Sequence, residues 1–105
     1  MTNRLDGKCM LITGAARRIG AAIATRLHDS GATIAVHYRN SADDAQALVN
    51  NLNALRADSA RAFQADLLNT AQLPTLINDV LAWSGRLDGL VNNASSFFPT
   101  RIGEI

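Results

Sequence analysis

Four short apolar runs, Lys8–Thr13, Thr33–His37, Arg61–Ala65 and Leu87–Asn92, alternate along the 105 residues with three longer stretches of helical periodicity. Each run is mostly apolar instead of apolar at every second position, as expected for strands buried on both faces. Strands of that kind, each separated from the next by a helix, make an α/β protein with a parallel sheet. Leu73, Leu76, Ile77, Val80 and Leu81 recur at helical spacing in the third stretch, and Ala45, Leu48, Val49, Leu52 and Leu55 do so in the second. Ser41 followed by Asp44 suits a capping box at the start of the second helix, Pro74 fits the first turn of the third, and Gly31 and Gly85 suit the left-handed residue that ends a helix. Right-handed crossovers give the strand order 3-2-1-4, which sets the carboxyl ends of strands one and four side by side at a topological switch point, where α/β sheets bind ligands.

Composition narrows the function classes. Ten basic residues against nine acidic ones leave a net charge of +1, so no general field favours nucleic acid or an anionic membrane, and any anion site is local. No segment has the length and apolarity of a membrane span, and the first residues lack a signal-peptide core, so the expected location is cytoplasmic. The single cysteine, Cys9, lies inside the first strand and reads as a buried, inert thiol. No metal-ligand set is assigned.

The local anion site follows the first strand. Thr13-Gly14-Ala15-Ala16-Arg17-Arg18-Ile19-Gly20 carries the chain from a strand through a glycine turn into a helix patterned on Ile19, Ile23 and Leu27. Amides at a helix start lack intrahelical partners and carry the positive end of the dipole, so a diphosphate can rest there. The glycine spacing alone is nonspecific, because glycine pairs also mark ordinary turns. Combined with an Asp after strand three and Asn-Asn-Ala after strand four, it resembles the short-chain dehydrogenase/reductase family. Ala15-Ala16-Arg17-Arg18-Ile19-Gly20, Val36-His37-Tyr38-Arg39-Asn40-Ser41 and Asn92-Asn93-Ala94-Ser95-Ser96-Phe97-Phe98-Pro99-Thr100 are similar to the pteridine reductase branch of that family, and the resemblance covers nearly the whole chain. Arg18 stands where the family usually has its middle glycine.

The resemblance implies a Rossmann-type doubly wound sheet, of which residues 1–105 form the N-terminal, NADP-binding part, completed by polypeptide beyond this chain. It implies that Arg18 reaches both the cofactor diphosphate and the substrate edge, that Asp66 accepts from the adenine amino group with Leu67 lining the adenine pocket, and that Asn93 and Ala94 run along the cofactor ribose. Arg17 reads equally well as a solvated side chain, Asp66 also as a turn former, and Asn93 also as a turn residue. At the end of strand two, where NAD-binding sheets place a carboxylate on the ribose hydroxyls, this chain has none. His37, Tyr38, Arg39, Asn40 and Ser41 offer a cation and neutral donors instead, which suits a 2′-phosphate and therefore NADPH. For His37 alone, a residue packed at the strand end is an equally good reading. The cofactor set is thus Gly14, Arg17, Arg18, Ile19, Gly20, His37–Ser41, Asp66, Leu67, Asn93, Ala94 and Ser95.

Arg18, Ser95 and Phe97 make up the expected substrate wall, since a flat pterin needs a π-surface opposite the nicotinamide and Phe97 can supply it; both Phe97 and Phe98 also read as core residues anchoring a loop, the preferred reading for Phe98. The family's proton donor is a tyrosine with a lysine one helical turn away. The only tyrosine here is Tyr38 and the only lysine Lys8, so no catalytic residue is assigned and the chain alone is expected to be inactive. The leading expectation is an NADPH-dependent reductase of pterin or dihydrofolate-type substrates, assembled as the family's tetramer. A catalytically silent nucleotide-binding fragment or partner subunit, and a reductase of ordinary carbonyl substrates, are the alternatives. A methyltransferase would want an acidic residue where Arg39 stands.

Overall fold

The computed structural model describes residues 5–15 and 18–93. The elements alternate without exception: β1 (Cys9–Thr13), α1 (Arg18–Asp29), β2 (Thr33–Tyr38), α2 (Ala42–Leu55), β3 (Ala60–Gln64), α3 (Gln72–Ser84) and β4 (Gly89–Asn92). The strands form one parallel sheet in the order β3-β2-β1-β4, the order expected from the sequence. Cys9 pairs with Thr33 and Ile12 with Val36 across β1 and β2, Ile34 pairs with Ala60 and Tyr38 with Gln64 across β2 and β3, and Met10 pairs with Gly89 and Thr13 with Asn92 across β1 and β4. Among the described residues β4 pairs with β1 alone.

Because side chains alternate along each strand, the sheet carries a core on each face. Ile12, Ile34 and Val36 face Ala24 of α1 and Ala45, Leu48, Val49 and Leu52 of α2. Cys9, Leu11 and Ala35 face Leu76 and Val80 of α3. The first two crossovers therefore cover one face and the third covers the other. The progression of strands across the sheet reverses between β1 and β4, which is the topological switch point expected from the sequence. Cys9 has no exposed surface, and burial pushes its thiol pKa up against a lowering hydrogen bond with Ser84. Such a thiol is unreactive.

Several boundaries differ from the sequence reading. Leu55 is 75% exposed and Leu81 39%, although each continues the apolar stripe of its helix. Ile19 is also exposed, at the first turn of α1. Ser41 occupies the N-cap of α2 but its side chain makes no cap hydrogen bond; its carbonyl accepts from Ala45 N–H at 2.9 Å. β3 lies one residue earlier than expected, since an Asn53 bracket ends the preceding loop: Asn53 Oδ1 accepts from the amides of Ser59 and Ala60, both at 2.9 Å, and Nδ2 donates to Ala60 O at 3.0 Å.

β4 starts at Gly89 instead of Leu87 because Asp88 is used as a staple. Its Oδ2 accepts from Cys9 N–H at 2.8 Å and from Arg86 Nε at 2.7 Å, while Asp88 N–H donates to Cys9 O at 2.8 Å. The Arg86 guanidinium and the Cys9 amide hold the Asp88 carboxyl at about 2, below its ordinary 3.8. A carboxyl depressed on folding contributes stability that is complete above the unfolded value and is lost as pH falls through the folded one. The difference in urea midpoint between wild type and Asp88→Asn is expected to be constant near neutrality and to shrink from about pH 4 towards pH 2. A difference that stayed constant down to pH 2 would rule out the charge as its source.

Candidate functional site

The carboxyl ends of β1, β2 and β4 meet at Gly14. β1 delivers Thr13 into the turn, where Gly14 takes φ +62°, a left-handed conformation that glycine adopts without a Cβ penalty. From the β4 side, Thr13 Oγ1 accepts from Asn93 N–H at 2.9 Å and lies 3.0 Å from Asn92 Oδ1, while Asn93 Nδ2 donates to Gly14 O at 3.2 Å. Thr13 is 1% exposed, so this knot is internal. Neither Thr13 nor Asn92 stood among the expected site residues. The available signal was a threonine ending β1 opposite an asparagine ending β4.

His37 comes to the same turn from β2. Gly14 N–H donates to its Nδ1 at 2.9 Å, Nε2 lies 2.8 Å from Ala65 O, and Ala15 N–H donates to the His37 carbonyl at 3.0 Å. Since an amide donates to Nδ1, that nitrogen carries a lone pair and the proton sits on Nε2, directed at the Ala65 carbonyl. Burial lowers the His37 pKa, opposed by the bond to Ala65, in keeping with a neutral ring. For His37 the structure matches the packed, strand-end reading. Both ring nitrogens of His37 are occupied by protein groups and the residue is 2% exposed, so its imidazole has no hydrogen-bonding edge to offer a cofactor. The amides of Gly14 and Ala15 are likewise engaged inside the protein, which leaves the helix start as the candidate anion site.

At that start Arg18 has φ +50° and is exposed, so the residue in the family's glycine position takes glycine-type backbone. For an arginine this costs on the order of 1 kcal/mol. No acidic residue occupies the first turn of α1, leaving the positive end of its dipole uncompensated from within the helix. Gly20 is buried against the turn: a Cβ there would lie 2.4 Å from Gly14 O, 2.6 Å from Asn93 Nδ2 and 2.8 Å from Ala15 Cα. Only glycine lets α1 approach so closely.

Past the end of β2, Arg39 and Asn40 are exposed, Ser41 is half-buried and Tyr38 leans on the first core. Arg39 Nε lies 3.5 Å from Asp66 Oδ1, with roughly half of the arginine side chain open to solvent. Asp66 also forms a turn, as its alternative reading held: Oδ1 accepts from Leu68 N–H at 3.0 Å, and its own amide donates to Gln72 Oε1 at 2.8 Å. Gln72 is a second supporting residue that sequence reasoning missed. Leu67 is half-buried and packs on the second core. Arg17, Ala94, Ser95 and Phe97, with Phe98, lie outside the described residues.

A strand-glycine-helix turn, an exposed arginine at the end of β2, an aspartate at the end of β3 and an asparagine after β4 thus meet along one edge of a 3-2-1-4 sheet. The family model for short chain dehydrogenase matches residues 8–104. The chain belongs to that family. Among curated relatives, this short chain dehydrogenase chain is 41% identical to pteridine reductase 1 of Leishmania tarentolae over 95% of its own length and 40% of the relative's. It is 46% identical to elsinochrome reductase 1 of Elsinoe fawcettii, over 89% of the chain and 34% of that protein. A probable tetrahydroxynaphthalene reductase of Zymoseptoria tritici is 41% identical over 89% and 34%. The chain therefore spans 34–40% of the length of these relatives. Members of the family are oxidoreductases that use a nicotinamide cofactor. Among the described residues no helix is long and apolar enough to cross a membrane.

Proposed function

We propose that this chain supplies the cofactor half of an NADPH-dependent reductase acting on pterin-type substrates. The observation that carries the cofactor assignment is Arg39, an exposed guanidinium at the end of β2 where a carboxylate would exclude a 2′-phosphate. The donor chemistry fits the phosphorylated dinucleotide: Arg39, Asn40 and Ser41 for the 2′-phosphate, the start of α1 with Arg18, Ile19 and Gly20 for the diphosphate, Asp66 with Leu67 beside the adenine, and Asn93 and Ala94 along the ribose. Arg17 and Ser95 complete the proposed set. The bound cofactor supplies the hydride. The residues of this chain bind and orient it, and keep the turn and the β4 loop together through Thr13 and Asn93.

The substrate part of the proposal rests on Arg18, Ser95 and Phe97, with Phe97 as the π-platform for a flat heterocycle, and on the similarity to a pteridine reductase over 95% of the chain. A second reading, reduction of a carbonyl substrate of the hydroxynaphthalene type, is favoured by the 41% identity to a probable tetrahydroxynaphthalene reductase. The full-length protein, assayed for NADPH oxidation with dihydrobiopterin and with a hydroxynaphthalenone, separates the two. Pterin turnover is expected, and Phe97→Ala should raise the pterin KM by about tenfold or more while changing that of NADPH little. Turnover of the naphthalenone alone would establish the second reading. NADPH binding without turnover of either would identify a silent nucleotide-binding subunit.

A further inference from the structure

His37 does more than fill the end of a strand. β1 and β3 are not neighbours in the sheet, since β2 lies between them, and the last described pairs of the two ladders are Ile12 with Val36 and Tyr38 with Gln64. At that edge a single rigid ring from β2 grips both flanking chains, holding Gly14 N–H on one side and Ala65 O on the other. One of these leads into the start of α1, the other into Asp66. We propose that His37 is the positioning residue that sets the spacing between the diphosphate turn and the adenine-side loop, and that it does so through its Nδ1 acceptor on Gly14. This rests on the cofactor reading above.

The physical reason lies in the Gly14 amide. Without the Nδ1 lone pair this half-buried N–H would lack its acceptor in the protein, a state that the turn relieves by rotating the Thr13–Gly14 peptide towards water. Gly14 O, on the following peptide, is bound by Asn93 and abuts Gly20, so a turn of the chain at Gly14 that frees its N–H also disturbs the seat of the helix start that carries the anion site. The Ala65 side is held by more of the protein: Ala65 N–H donates to Tyr38 O at 3.1 Å, Asp66 N–H donates to Gln72 Oε1 at 2.8 Å, and the Leu68 and Asn69 amides bond back to Asp66, whereas the Gly14 side keeps Ala15 N–H on the His37 carbonyl and Asn93 Nδ2 on Gly14 O.

Two substitutions divide the ring between them. In His37→Asn, Oδ1 overlays Nδ1 and keeps the acceptor for Gly14; in His37→Gln, Nε2 overlays the ring Nε2 and keeps the donor for Ala65. Each loses one hydrogen bond and buries one new polar atom, so both are expected to be destabilised alike. Dinucleotide affinity is expected to separate them. His37→Gln should weaken NADPH and NADH by the same factor, about tenfold, and His37→Asn should restore most of that loss, measured by titration of the full-length protein. Nitrogen-15 spectra of the wild-type ring should show Nδ1 unprotonated and Nε2 protonated near neutral pH. Equal affinities in the two variants, or a proton on Nδ1, would overturn the assignment. Failure of the wild type to bind either dinucleotide would instead overturn the cofactor reading.

Discussion

Gly20→Ala is expected to destabilise the fold by about 1–3 kcal/mol and to weaken dinucleotide binding more than tenfold. The added methyl would stand 2.4 Å from Gly14 O and 2.8 Å from Ala15 Cα, both backbone atoms that no rotamer change can move aside. The third neighbour, Asn93 Nδ2 at 2.6 Å, would have to abandon its bond to Gly14 O, a further loss of about 1 kcal/mol. Better helix propensity returns up to about 1 kcal/mol, which is not enough to reverse the sign. Gly85→Ala is the control. Gly85 has φ +82° with nothing within 4 Å of a Cβ, so alanine there meets backbone strain of about 1 kcal/mol and leaves the site untouched. Urea midpoints and NADPH titrations on both variants test the pair: Gly20→Ala should lose stability and affinity together, Gly85→Ala stability alone. A Gly20→Ala protein as stable as wild type would mean that α1 does not seat on the turn as described.

This glycine also marks how far the sequence could be read. The element order and the 3-2-1-4 sheet were legible because strands buried on both faces leave apolar runs such as Thr33–His37, and because crossover handedness admits few topologies. Helix ends were less legible. Leu55 and Leu81 keep the periodicity of their stripes and are nonetheless exposed, so periodicity alone does not fix which positions pack. Ser41 has the residue type of a cap without the side-chain bond, since its carbonyl alone closes the first turn. At the site, the line-up of Gly14, Arg39, Asp66 and Asn93 followed from their places at strand ends. The role of His37 did not, because its partners lie 23 and 28 residues away and its ring could have faced either the crevice or the sheet. The departure at Arg18 was visible as a missing glycine, and the backbone explains what residue type could not: the left-handed conformation persists under an arginine side chain.

Arg39→Glu should separate the two nicotinamide dinucleotides. One charge-assisted hydrogen bond contributes about 1.5–3 kcal/mol, so its loss should weaken NADPH by roughly 10- to 150-fold. NADH, which presents ribose hydroxyls in place of the phosphate, has no dianion for the new carboxylate to repel and should lose far less. Stability should hardly change. The pair that Arg39 makes with Asp66 is 3.5 Å long and nearly half exposed, and such surface pairs are worth about 0–1 kcal/mol. That same pair sets the direction of the residual effect. In the Arg39→Glu protein the introduced carboxylate joins that of Asp66 where the phosphate would approach, and the repulsion of the two adds to the missing attraction. Because both charges are solvent-exposed, raising the ionic strength should narrow the gap between wild type and variant for NADPH and leave NADH nearly level. Equal losses for the two cofactors would remove Arg39 from phosphate recognition and leave it as the counter-ion of Asp66. An undiminished NADPH preference would place the 2′-phosphate on other residues of the β2–α2 loop.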